Sequence, residues 1–322
     1  MHFDYKQFER KGLDIISLYY VDEENDDKKE VWVLPGHGMN LCKYKANGLN
    51  IIEFDPDEIR EGFYGTPLLY PTPNRVYEGK INYNGKEYPQ IKNGKLITIN
   101  GLLHNEPFNG VKISKTENSI SVSAYFDFVE KNHLFEAFPF KHRLNVKYTL
   151  DKSGVRFDYE IESREQEQSI PFGIALHPYF SKLDGEDETV IRAPYEYSYK
   201  TSDNLIPTGE LLAVDGETNL SDYVAVGNLD LDTVFTGNKN NEPATIKYSK
   251  SGVKITLNSS DDFSHIVIYT PKGQRYFCME NQTCATNAHN MYNQGMEDIS
   301  GLKFVEPNSR FGGFVEFVTE KI

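Results

Sequence analysis

Two segments set an ionisable side chain at the end of an apolar run. In Ile170-Pro-Phe-Gly-Ile-Ala-Leu-His177-Pro-Tyr-Phe180 a histidine closes the run, and the proline after it interrupts a strand. In Tyr276-Phe-Cys-Met-Glu280-Asn-Gln-Thr283 a glutamate does the same, and burying an unpaired carboxylate is costly enough to need a reason. Imidazole and carboxylate are suited to moving protons near neutral pH, so general acid–base chemistry is the reaction class that these residue types offer. Taken singly, each also fits a plainer role: a buried, hydrogen-bonded histidine, and a surface glutamate at a strand end. Other catalytic patterns are excluded. The chain has no GxSxG elbow, no HExxH zinc helix and no Walker A loop, and Gly36-His-Gly38 lacks the third glycine and following helix of a dinucleotide site.

The elements that must carry these residues are strands. From Ser119 to Phe128, Ile120, Val122, Ala124, Phe126 and Phe128 alternate with Ser119, Ser121, Ser123, Tyr125 and Asp127, the pattern of a strand with one wet face. Leu144 to Leu150 and Val155 to Ile161 alternate in the same way around Asp151-Lys-Ser-Gly154, which predicts a hairpin. Short β-rich runs recur at Glu30 to Leu34, Gly252 to Leu257, Ser264 to Thr270 and Gly312 to Thr319. One short helix is expected over Asp55 to Phe63. No linker, repeat or low-complexity tract divides the chain, so the expectation is all-β, one large antiparallel β-sandwich domain over residues 1–322.

Composition narrows the partners. The net charge of −14 opposes binding to a phosphate backbone or an anionic membrane, so neither nucleic acid nor membrane is an expected partner. The acidic runs Asp22 to Glu30 and Gly185 to Glu188 read as solvated surface. Cys42, Cys278 and Cys284 form neither a disulfide framework nor a zinc pattern, and Met1 to Arg10 is charged rather than apolar. A cytoplasmic protein is the expectation.

Several motifs, in order, carry a family resemblance. Gly65-Thr-Pro67 through Pro71-Thr-Pro-Asn-Arg75, Gly101-Leu-Leu-His104, His177-Pro-Tyr-Phe180, Pro207-Thr-Gly-Glu210 with Val214, Leu231-Asp-Thr-Val-Phe235 and Glu280 together resemble the aldose 1-epimerase, or galactose mutarotase-like, family from about Val33 to Phe317. The resemblance implies the galactose mutarotase-like β-sandwich and an isomerase that interconverts the α and β anomers of a free hexose such as glucose or galactose. It implies no metal or organic cofactor. It also implies roles: Glu280 as base at the anomeric hydroxyl, His177 as acid at the ring oxygen, and Arg75, His104 and Asp232 as sugar-binding residues. The plainer alternatives are a loop tie for Arg75, a satisfied loop histidine for His104 and a turn aspartate for Asp232, with Asp230 as the competing position. Arg275 is expected to be a solvated strand-end charge, and Tyr179 and Phe180 to be packing residues.

These roles set expectations for protonation. His177 should hold its proton near neutrality, helped by Glu280 or Asp232, and Glu280 should stay ionised with help from Arg75. The chain departs from the family at Leu103-His104-Asn105-Glu106, where many members have Leu-His-Gly-Gly, and at Glu280-Asn281, where many have Glu-Pro, which leaves the sugar preference open. Two other readings remain. One is a hexose-6-phosphate mutarotase, which would need more cations than Arg75 within these motifs. The other is a sugar-binding module of the same fold without catalysis.

Overall fold

The alternating segment becomes a strand over the same residues, Ser119–Phe128, with its five apolar side chains buried and those between them partly exposed. The computed structural model describes the backbone of residues 1–322 and every side chain except that of Glu61. The expected hairpin joins His142–Asp151 to Gly154–Ser163, and the Asp151 carboxylate closes its turn by accepting from the backbone N–H groups of Ser153 and Gly154. Strands Asp27–Leu34, Val253–Ser259, His265–Tyr269 and Arg310–Lys321 cover the other β-rich runs.

Two large antiparallel sheets result, one of thirteen strands and one of nine. The inner faces share a core in which Phe126, Leu144 and Phe157 of the smaller sheet join Phe180, Ile266 and Phe277 of the larger. Removing each such aromatic ring from water contributes about 1.5–3 kcal/mol, the main force that holds the layers together.

The helix read at Asp55 to Phe63 is present as Pro56–Glu61, with the Asp55 side chain accepting from the N–H groups of Asp57 and Glu58. Several elements were not foreseen, among them strands Asn40–Ala46, Tyr195–Thr201 and Ala244–Tyr248, the N-terminal hairpin and two short helices. The N-terminal hairpin of His2–Arg10 with Leu13–Asp22 is hidden because its first strand is a charged, largely exposed edge and its second is buried on both faces, which erases the period of two. Helices Ala288–Asn293 and Glu297–Ser300 are too short to show a helical period. Gly185 to Glu188 are exposed, as their charge predicts, but of the run Asp22 to Glu30 only Glu23 to Asp26 and Lys28 are. Strands Leu13–Asp22 and Asp27–Leu34 take up the rest, and Lys29 is buried with its ammonium paired to Asp27 at 2.7 Å. Among the described residues no helix is long and apolar enough to cross a membrane.

The larger sheet has a second, outer face. Along Tyr276–Gln282, Phe277 and Met279 enter the shared core, whereas Cys278 packs outward with Trp32, Leu34, Cys42, Tyr64 and Tyr179. Two strands away, Val234 joins Val267, Tyr199 and Met291 in another outward cluster. Glu280 lies between these two apolar clusters, two residues beyond Cys278 on the same strand and opposite Val267 on the next.

Candidate active site

Strand register brings His177 to Glu280. Ala175 pairs with Gln282 and Tyr179 with Cys278, so the same antiparallel register sets His177 opposite Glu280. Pro178 has no N–H and breaks the ladder between them. The backbone N–H groups of His177 and Tyr179 turn instead to the carbonyls of Pro67 and Gly65, at 3.1 and 2.8 Å. That explains the Gly65-Thr-Pro67 motif. Gly65 adopts φ +85°, and a Cβ there would stand 2.9 Å from the Cα of Cys42, so only glycine lets this segment approach the sheet. Asn40 pins the segment from beneath, donating to the Tyr64 carbonyl and accepting from the Thr66 N–H.

His177 Nε2 lies 3.2 Å from Glu280 Oε1, and the side chains are only 10% and 3% exposed. The imidazole stacks on Tyr179 with ring centres 4.6 Å apart and planes within 6°, so Tyr179 is the packing residue expected, serving as the platform for His177. Phe180 faces the shared core. The other oxygen of Glu280 accepts from Gln282 Nε2 at 3.3 Å.

Electrostatics differ from the expectation. Burial pushes the His177 imidazole down to about 3. Burial, with the charge of Asp232 added, raises the Glu280 carboxyl well above its ordinary range, against the smaller lowering effects of Gln282 and Arg75. Both shifts favour one proton shared as carboxyl and neutral imidazole over a standing imidazolium–carboxylate pair. The reason is desolvation: two charges in a dry site cost more than one neutral hydrogen bond.

Arg75 and Asp232 meet each other beside this pair. Arg75 Nη2 donates to Asp232 Oδ2 at 3.1 Å, and both side chains are partly exposed, at 28% and 30%. Asp232 opens strand Asp232–Asn238, opposite Tyr269, which in turn lies opposite Cys278. Asp230, the competing position, is exposed and pairs with Lys272. Arg275 pairs with Asp55 at 2.6 Å and is half-exposed, a surface charge tied to the helix cap. Arg75 is held by Asn74, whose side chain accepts from both the backbone and the guanidinium of Arg75, and its carbonyl accepts from the Asn287 N–H.

His104 is carried by a separate loop. Its ring packs on Phe63 at 4.3 Å, and burial with the nearby charges of Lys92 and His37 pushes it down to about 4, so it is neutral at neutral pH. Its loop is clamped by Lys92, whose ammonium donates to the carbonyls of Leu102 and His104 and pairs with the buried Glu106 carboxylate at 2.9 Å. Sequence reasoning missed Lys92, Glu106, Gln282, Asn74 and Asn287. Asn74 and Glu106 stood inside motif segments without a role, and Gln282 had a signal in its spacing, since it sits two residues after Glu280 and so on the same strand face.

The comparisons with known proteins agree with this architecture. The chain is 23% identical over 280 residues to the uncharacterized protein YihR of Escherichia coli K12, covering 85% of this chain and 86% of that protein. It is 22% identical over 219 residues to the plasmid-encoded protein LacX of Lactococcus lactis, covering 66% and 70%. A crystal structure of a galactose mutarotase-like protein from Clostridium acetobutylicum superposes with a TM-score of 0.85 at 21% identity, covering 99% of each chain. Galactose 1-epimerase from Lactobacillus acidophilus NCFM gives 0.77 at 16% identity, again over 99% of each chain, and at these identities the likeness shows the fold. The family model described as aldose 1-epimerase matches residues 24–301, and the chain therefore belongs to the aldose 1-epimerase family.

Proposed function

We propose that the protein is a mutarotase for a free aldose such as glucose or galactose, opening and reclosing the sugar ring by proton transfer between Glu280 and His177. The observation that carries the reading is their buried contact at 3.2 Å, with the Arg75–Asp232 pair alongside. Ring opening needs one proton taken from the anomeric hydroxyl and one given to the ring oxygen. A pair that shares a single proton has no net charge in either arrangement, so a sugar placed against Glu280, with Arg75 near, can draw the proton onto His177 without changing the site's charge. Glu280 then accepts from the hydroxyl while His177 donates to the ring oxygen, and the roles reverse on closure. Asp232 and Arg75 supply an acceptor and donors for sugar hydroxyls, Tyr269 an aromatic edge, and neutral His104 a further polar contact.

A free sugar fits this site better than a phosphorylated one. Arg75 is engaged by Asp232, and Lys92 by Glu106 and two carbonyls, which leaves these cations committed within the protein. The three cysteines are free and buried, which supports a reducing, cytoplasmic setting.

Polarimetry on freshly dissolved α-D-glucose and α-D-galactose tests the proposal. The protein should speed equilibration of at least one sugar, and Glu280→Gln or His177→Asn should each cost about 10²–10⁴-fold. No acceleration with either sugar would turn attention to hexose 6-phosphates, and a negative there, with sugar binding retained, to a non-catalytic binder.

A further inference from the structure

Acid–base chemistry leaves one side chain of the site unused. Cys278 lies two residues before Glu280 on strand Tyr276–Gln282, so both side chains leave the same face of the sheet. One donor atom from each of His177, Cys278 and Glu280 lies within 4.8 Å of the other two, and all three residues are buried. His177 Nδ1 is also buried without a hydrogen-bond partner, so no second bond resists a small rotation of the ring.

We propose that His177, Cys278 and Glu280 form an inhibitory site for a thiophilic divalent cation of the zinc class. Imidazole, thiolate and carboxylate are the three donor types zinc takes, at about 2.0–2.1, 2.3 and 2.0–2.2 Å. Bonds of that length set the donors roughly 3.3–3.8 Å from one another. His177 and Glu280 already stand 3.2 Å apart, so the adjustment falls mainly on Cys278, whose sulfur lies within 4.8 Å of both. Three protein donors leave the fourth tetrahedral position to water or a sugar hydroxyl. A thiolate and an imidazole select against magnesium and calcium, which prefer oxygen.

Occupancy leaves the net charge of the buried site unchanged. Ligation requires the thiol and the carboxyl to give up their protons, because thiolate, carboxylate and neutral imidazole are the binding forms. The cation replaces both, leaving a thiolate, a carboxylate and a neutral imidazole around a double positive charge, so the buried site is neutral before and after. Two protons go to solvent, and binding strengthens as pH rises. The occupied site holds both proton-transfer groups, so the cation blocks catalysis. That consequence rests on the acid–base reading, whereas binding does not.

The test is titration of the reduced, EDTA-treated protein with Co²⁺, whose thiolate charge-transfer absorption reports sulfur in the coordination shell. The wild type should bind one Co²⁺ per chain with that absorption, and Zn²⁺ should displace it. Cys278→Ala and Cys278→Ser, both checked for native circular dichroism, should lose the absorption, and His177→Asn should weaken binding about tenfold or more. In polarimetry, Zn²⁺ should slow the wild type reversibly with EDTA and spare both Cys278 variants, each compared with its own metal-free rate. No thiolate absorption in the wild type, or absorption that persists in both Cys278 variants, would overturn the site. Absorption lost with Cys278 in a protein that never accelerates mutarotation would uphold the cation site and overturn the acid–base reading instead.

Discussion

Glu280 sits where opposing influences are all identifiable. Burial and Asp232 raise its carboxyl, while Gln282 and Arg75 lower it. Ordinary values would confine the one-proton state of a glutamate–histidine pair to a window between about pH 4.3 and about pH 6.5. Here the lowered His177 moves the acid edge down and the raised Glu280 moves the alkaline edge up, so kcat/KM should stay on a plateau through neutrality into mildly alkaline solution. An alkaline limb near about pH 6.5 would contradict the shared proton. Asp232→Asn removes a negative charge that raises Glu280. Its alkaline limb should therefore move to lower pH, and KM should rise because a hydroxyl acceptor is lost. A limb that does not move would mean that Glu280 is not the group observed.

At the scale of elements, the site depends on a loop clamp as much as on strands. Lys92 lies on the short strand Ile91–Lys92, yet it reaches the backbone of the His104 loop and the buried Glu106. Lys92→Met should leave those acceptors short of a donor and cost about 1–3 kcal/mol in urea denaturation, since His133 still faces Glu106 at 3.2 Å. If His104 contacts the sugar, the same variant should raise KM and leave kcat near wild type, because Glu280 and His177 stand on a different part of the fold. A fall in kcat at unchanged KM would place the loop outside sugar binding.

For the whole molecule, buried neutral histidines dictate the response to acid. His142 bonds Tyr70 Oη and the Phe140 carbonyl, His265 bonds Tyr199 Oη and Ser264 Oγ, and His289 bonds the Pro171 carbonyl. Burial pushes them down to about 4, about 3 and about 4. A histidine lowered in the folded state binds its proton more readily when unfolded. Stability is therefore complete above the unfolded value and is lost as pH falls from there toward the folded one. Each such imidazole should remove about 2 kcal/mol between about pH 7 and about pH 5. Denaturation midpoints across that range would show it, and a flat profile would sink the idea. We also take residues 1–322 to fold as one unit, because the shared core draws on both sheets, and the same experiments should then show a single transition.

The chain's residues determined much of this by themselves. Alternation in Ser119–Phe128 and in the hairpin around Asp151 is a local property of a strand with one buried face, and the Asp55 cap and Gly62 stop are local to one helix. That His177 and Glu280 each close an apolar run was equally legible, because an ionisable group there stands out in one dimension, whereas the burial of Glu280 inside strand Tyr276–Gln282 was not. Tertiary structure decided what sequence distance conceals. It paired Arg75 with Asp232, and clamped the His104 loop from Lys92. It also decided protonation. Whether a carboxylate beside an imidazole stays charged depends on how much water the surrounding fold excludes, and only the packed sheet face, closed by clusters from distant strands, fixes that.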